Sequence, residues 1–116
     1  MTHLKRAYET PAEGDGMRIL VERLWPRGLT KERAALDRWL KDIAPSPALR
    51  KWYGHDPAKW EEFRKRYQDE LRGNEDKVQE LEGLVAQGPV TFVYAAKDEA
   101  HNSALVLREY LKEREK

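Results

Sequence analysis

Two short segments, residues 17–22 and 90–95, are dominated by consecutive apolar residues, as in the run ILV at 19–21. Such runs are typical of strands that are covered on both faces of a parallel sheet. About seventy residues of helical pattern separate the two segments, so we expect parallel strands joined by a helical crossover. Residues 4–8 alternate in polarity and predict an edge strand. The sequence therefore predicts an α/β fold with a small, mainly parallel sheet of three or four strands.

The remaining segments predict four to five helices. Thr30 can cap a helix whose apolar positions recur every three to four residues, from Leu36 to Ile43, and which ends before Pro45. Further helices are predicted at residues 46–54, 56–73, 74–88 and about 99–113. A chain of 116 residues can build one hydrophobic core but not two, so we expect residues 1–116 to form a single α/β domain.

Charge and cysteine content exclude several classes of function. The chain has 22 Lys and Arg against 21 Asp and Glu, and a net charge of +1 gives no global field that would attract nucleic acid. With no cysteine, disulfides, zinc–thiolate sites and thiol nucleophiles are excluded. No apolar run has the length of a membrane span and no signal-peptide core is present, so we expect a cytoplasmic protein without a membrane partner.

The candidate site lies where ligands bind in open α/β sheets, beyond the carboxyl ends of the strands. Two segments occupy that position, residues 23–31 and 95–102, and they share one rim if their strands are neighbours. The corner at residues 51–57 could close over the same rim. We expect the ligand to be bound by Arg23, Trp25, Arg27, Lys31, His55, Lys97, Asp98 and Asn102.

The chemistry of these side chains favours a small anion. Arg23 and Arg27 offer planar guanidinium groups that suit carboxylate or phosphate, and lysines add point charges. A helix beginning near Asp98 would direct free N–H groups to the same place. Trp25 could supply a flat wall for a ring or sugar.

Structural roles compete with each of these assignments. Arginines after a strand commonly pair with acids, and four are within reach: Asp37, Asp42, Asp56 and Asp98. Trp25 is favoured as a core residue, Asp98 as a helix cap, and His55 as a packing partner of Trp60.

Two residues could move a proton. His101 is predicted in the first turn of the last helix, where a neutral imidazole could accept or donate one, although a solvated side chain without a chemical role is the favoured alternative. Tyr94 ends a predicted strand, where a proton donor and a core aromatic fit equally well. Sequence motifs for nucleotide phosphates, zinc proteases and nucleophile elbows are absent, so we expect no cofactor and no metal.

Several segments resemble a known family. They cover residues 18–28, 39–46, 49–57 and 94–102, and include the strings RLWPRG and GHDP in that order. The chain resembles the short, cysteine-less YeaO-like branch of the family called domain of unknown function 488. The resemblance implies a mostly prokaryotic, cytoplasmic α/β domain and brings no established activity. Longer members carry a cysteine at the position of Tyr94 and Cys-His-Arg where this chain has Asn102, Ser103 and Ala104, so their thiol chemistry does not carry over.

Two functions of different classes follow. The first is binding of a small anionic molecule at the carboxyl rim of the sheet. The second is a non-catalytic interaction module whose exposed tryptophans and arginines dock a protein or a nucleic acid, and exposed aromatics would also suit a homo-oligomer. Stabilisation by phosphate or sulfate that saturates, and that Arg27→Ala abolishes, would favour the first.

Overall fold

A computed structural model describes residues 2–115. In this part of the chain four strands form one sheet with the order β1-β4-β2-β3, and every neighbouring pair is parallel. The strands are β1 (Thr2–Arg6), β2 (Met17–Leu20), β3 (Arg38–Trp39) and β4 (Val90–Tyr94). The predicted α/β fold with a small parallel sheet is confirmed.

Five α-helices accompany the sheet within the described residues: α1 (Lys31–Ala34), α2 (Pro47–Tyr53), α3 (Trp60–Arg72), α4 (Glu75–Val85) and α5 (Ser103–Arg114). Short 3-10 helices lie at Glu13–Asp15, Lys41–Ile43 and Pro57–Lys59. The predicted number of helices is confirmed. Among residues 2–115, no helix combines the length and the apolar character that crossing a bilayer requires.

Alternate residues of the central strands face two separate clusters. Ile19 and Phe92 belong to the larger cluster, which buries the apolar stripes of α3, α4 and α5. Leu20 and Val93 belong to a smaller cluster on the other face, which Leu29, Ala34 and the half-buried Trp25 and Trp39 cover. All five residues of β4 are buried, because this strand has a neighbour on each side and a layer on each face. The continuous apolar runs in the sequence reflect this two-sided cover.

The predicted helix over residues 30–44 is wrong. Thr30 does cap α1, but the helix ends after Ala34 with Ala35 in the left-handed region at φ 47°. The buried Arg18 guanidinium donates to the carbonyl oxygen of Ala34 at 2.8 and 3.1 Å and to that of Ala35 at 3.2 Å. Arg18 thereby satisfies carbonyl groups that the end of α1 leaves without helical partners. The chain continues instead as β3, which pairs with β2.

The last helix begins later than predicted. Its N-cap is Asn102, whose side chain accepts a hydrogen bond of 2.9 Å from the N–H of Leu105. His101 therefore precedes the helix and does not lie in its first turn. Asp98 does not cap α5 either, and instead accepts hydrogen bonds from the N–H groups of Ala100 and His101 in the preceding loop.

The amino ends of β2 and β4 meet at one glycine. Gly16 has φ 65°, and an added Cβ would lie 2.2 Å from the carbonyl oxygen of Pro89. That same oxygen accepts a hydrogen bond of 3.0 Å from the N–H of Met17. The contact starts the pairing in which Met17 lies opposite Val90. Only glycine fits here, because it lacks the Cβ and tolerates a positive φ.

Gly16→Ala is expected to lower the free energy of unfolding by at least about 3 kcal/mol, since the substitution adds both a backbone clash and backbone strain. Chemical denaturation measures this change. Gly14→Ala is the matched control, because an added Cβ there meets nothing within 4 Å, and its effect is expected to stay under about 1 kcal/mol. Equal losses in the two variants would contradict this account of the strand pairing.

Candidate functional site

A cavity of about 210 Å³ lies beyond the carboxyl ends of β2 and β4. These strands are parallel neighbours, so the loop that follows β2 and the loop that follows β4 emerge at the same edge. Helix α2 and the corner after it form the opposite wall, through Arg50, Tyr53 and His55. Ser103, the first residue of α5, closes one end. The two separated sequence segments that define the predicted rim are thus brought together.

The guanidinium of Arg23 lines the cavity but is held by the backbone. Its Nε donates to the carbonyl oxygen of Pro45 at 3.2 Å, and its Nη2 donates to that of Ala44 at 3.0 Å. Its Nη1 lies 3.8 Å from the exposed carboxylate of Asp42. Arg23 therefore anchors the segment before α2 with two of its five N–H donors, and the remaining three are available to a ligand.

Arg50 is the cation that the sequence analysis missed. Its guanidinium lines the cavity and makes no hydrogen bond or ion pair with any residue in the range 2–115. The residue lies in α2, which begins at the N-cap Ser46 and ends at Gly54 in the left-handed region. Its five N–H donors make no hydrogen bond within residues 2–115, and because the residue is exposed these donors are accessible to a ligand.

Glu22 is a carboxyl group on the same cavity. Burial raises the pKa of Glu22, and the Arg50 guanidinium and the backbone N–H of Ala95 offset this rise only in part. No carboxylate oxygen comes within 4.0 Å of the Arg50 guanidinium among the described residues, so Glu22 and Arg50 face each other across space rather than in direct contact. The cavity is thus lined by a carboxyl group and a guanidinium group that make no direct ion pair with each other.

Tyr53 presents an unpartnered hydroxyl to the cavity. The residue is only 6% exposed, its ring stacks on Phe63 at a centroid distance of 4.4 Å, and its hydroxyl makes no hydrogen bond within residues 2–115. Burial raises the pKa of Tyr53, and the negative charges of Asp98 and Asp56 raise it further. At neutral pH the hydroxyl is therefore protonated and can donate to an anion.

His55 and His101 lie at the margin of the cavity. His55 follows Gly54 in the left-handed region at φ 57°, a conformation that non-glycine residues adopt rarely. The ring of His101 packs edge-on against Trp60 at 5.1 Å, and its Nδ1 lies 2.8 Å from the Asp98 carboxylate. That hydrogen bond lowers the pKa of Asp98. Asp98 therefore fixes the orientation of the His101 ring and does not itself line the cavity.

Three of the predicted ligand-binding residues line the cavity, Arg23, His55 and Asn102, and so does the proton-transfer candidate His101. Trp25 and Lys31 lie by a different, shallower hollow on the small-cluster face, where Trp25 packs edge-on against Trp39. Arg27 and Lys97 are exposed and line no part of the cavity. Tyr94 is buried in the larger cluster, and burial raises its pKa. Unlike His101, Tyr94 is not among the residues that line the cavity.

The spacing of Arg50 and Tyr53 could have been found from the sequence. Both lie in the predicted segment 46–54, three residues apart, which places them on one face of a helix. Nothing in the sequence shows that this face turns toward the sheet. Within the described part of the chain, no three His, Asp or Glu side chains converge in a cluster that could hold a metal ion.

This geometry defines the class of protein: a small parallel α/β domain with a charged cavity beyond the carboxyl edge of its sheet. The chain belongs to the inactive DUF488-N3 subclade, whose family model matches residues 1–116. It is 42% identical over 108 residues to "Uncharacterized protein YeaO" of Escherichia coli, which covers 93% of this chain and 94% of that protein. It is also 42% identical over 106 residues to "Uncharacterized protein Rv3073c" of Mycobacterium tuberculosis, covering 91% and 89%. No solved structure matches, and the predicted resemblance to the YeaO-like family is confirmed.

Glu22→Gln is expected to raise the melting temperature at pH 7 and to leave it nearly unchanged at pH 4. Because the folded pKa of Glu22 is raised, the wild-type protein holds this proton more tightly when folded and loses stability as the pH rises through the folded pKa. Glutamine cannot ionise, so the variant does not lose this stability as the pH rises. Melting curves between pH 4 and 7, with the exposed Glu99→Gln as control, measure the difference. A difference between Glu22→Gln and wild type that is constant with pH would contradict the assignment.

Proposed function

We propose that this chain binds a small anionic molecule, one that bears a phosphate or a carboxylate, in the cavity beyond β2 and β4. The observation that carries the proposal is the Arg50 guanidinium, which lines the cavity and makes no hydrogen bond or ion pair among residues 2–115. An unpaired guanidinium beside a concave, partly apolar surface is a common recognition element for such anions.

Two further features support an anion at this place. The protonated hydroxyl of the buried Tyr53 can donate a hydrogen bond into the same cavity. Helix α5 also begins here, and the first N–H groups of a helix lack intrahelical partners and carry partial positive charge. Asn102 satisfies the N–H of Leu105, and Ser103 faces the cavity.

Binding without turnover fits this site better than catalysis. The family is described as inactive, and Tyr94 lies in the core, away from the cavity. The proton-transfer candidate that remains at the cavity from the sequence analysis is His101, and its Nδ1 is occupied by Asp98. The proposed function is therefore binding alone, without a chemical reaction.

Phosphate or sulfate is expected to raise the melting temperature of the wild-type protein in a saturable way. At a ligand concentration ten times Kd, the added stability is about 1.4 kcal/mol. Arg50→Ala is expected to abolish the effect, because the free guanidinium is lost. Differential scanning fluorimetry at constant ionic strength, balanced with sodium chloride, measures the shift.

Arg27→Ala is the matched control for this experiment. It removes an exposed arginine from the same edge of the sheet without touching the cavity, so the shift is expected to persist. If sodium chloride produced the same shift, or if Arg27→Ala and Arg50→Ala behaved alike, small-anion binding at this cavity would be refuted. Stabilisation by a macromolecular partner alone would support the interaction-module hypothesis instead.

A further inference from the structure

The cavity holds an anionic side chain as well as a cationic one. Glu22 and Arg50 both line it, they influence each other electrostatically, and neither makes a direct ion pair in the described part of the chain. The Arg50 guanidinium is a positive charge that partly compensates the half-buried Glu22 carboxylate. Any account of the ligand has to satisfy both groups.

A ligand that carries only negative charge would destabilise the ionised carboxylate of Glu22. An anion bound to Arg50 neutralises the charge that compensates Glu22 and places a second negative charge in the same enclosed space. Like charges in a partly dry site repel, and a half-buried carboxylate that loses its counter-ion is destabilised even where a backbone N–H, here that of Ala95, still donates to it. Arg23 is held by the carbonyl oxygens of Ala44 and Pro45, and its charge is already partly compensated by the Asp42 carboxylate at 3.8 Å.

A ligand with an ammonium group removes this conflict. Its cationic end can donate hydrogen bonds to the Glu22 carboxylate while its anionic end accepts them from Arg50 and from the Tyr53 hydroxyl. The stacked rings of Tyr53 and Phe63, which also line the cavity, favour a nearby cation. Because Glu22 and Arg50 line the same cavity without forming an ion pair, one such ligand can contact both.

We infer that the ligand of this cavity is a small zwitterion, an amino acid or an amino-phosphate, bound through its anionic group by Arg50 and through its ammonium group by Glu22. This inference rests on the proposed anion-binding function and narrows its ligand class. The volume of about 210 Å³ agrees with a small molecule, since pockets for drug-sized ligands measure roughly 300–1,000 Å³.

Matched ligand pairs test the inference. 2-Aminoethyl phosphate is compared with ethyl phosphate, and β-alanine with propionate, by isothermal titration calorimetry and by amide chemical shifts in the wild-type protein. The aminated member of at least one pair is expected to bind at least ten times more tightly than its partner. Glu22→Gln is expected to reduce that preference to less than threefold by weakening the aminated ligand alone.

Glu99→Gln is the control, since this exposed carboxyl lies on the loop after β4 but does not line the cavity, and it is expected to keep the full preference. Circular dichroism checks that each variant is folded. Equal or tighter binding of the deaminated members would overturn the zwitterion assignment and leave anion binding in place. Failure of every one of these probes, and of inorganic phosphate, to bind would overturn the proposed function itself.

Discussion

The parallel pairing of β2 with β4 is the constraint on which the rest of the structure depends. The close approach of Gly16 to Pro89 sets where the two strands start, and the register then carries Leu20 opposite Val93. Since both strands end at the same level, the loops that follow them must open on the same edge. A shift of one residue would turn the apolar set of each strand to the wrong layer and would separate the two loops.

The parallel sheet and most helices were predictable because their signals are local. Runs of consecutive apolar residues and the caps at Ser46 and Asp56 depend on nearby sequence alone. The structure of the segment from Leu36 to Ile43 was not predictable in this way, although the spacing of its apolar residues is typical of a helix. Leu36 and Trp39 pack in the smaller cluster, whereas Leu40 and Ile43 belong to the larger one. A chain that crosses the edge of a sheet can produce the same spacing as a helix, and only the partners reveal the difference.

The site illustrates the same limit at the level of single side chains. The position of Arg23 after a strand is readable from the sequence, but its engagement by the carbonyl oxygens of Ala44 and Pro45 is not. Those acceptors lie more than twenty positions away and arrive only when the chain folds back. Arg50 carries no motif, yet it remains free because no acceptor of the described residues reaches it. Whether an arginine serves the fold or a ligand is decided by long-range packing.

The outer strands of the sheet affect how one molecule can associate with another. Its order leaves β1 and β3 with one open backbone edge each, and β3 is only two residues long. The other outer strand carries the charged side chains of Lys5 and Arg6. Short and charged outer strands are poor templates for intermolecular strand addition. In both respects the outer strands of this sheet have the features by which native proteins limit edge-to-edge association.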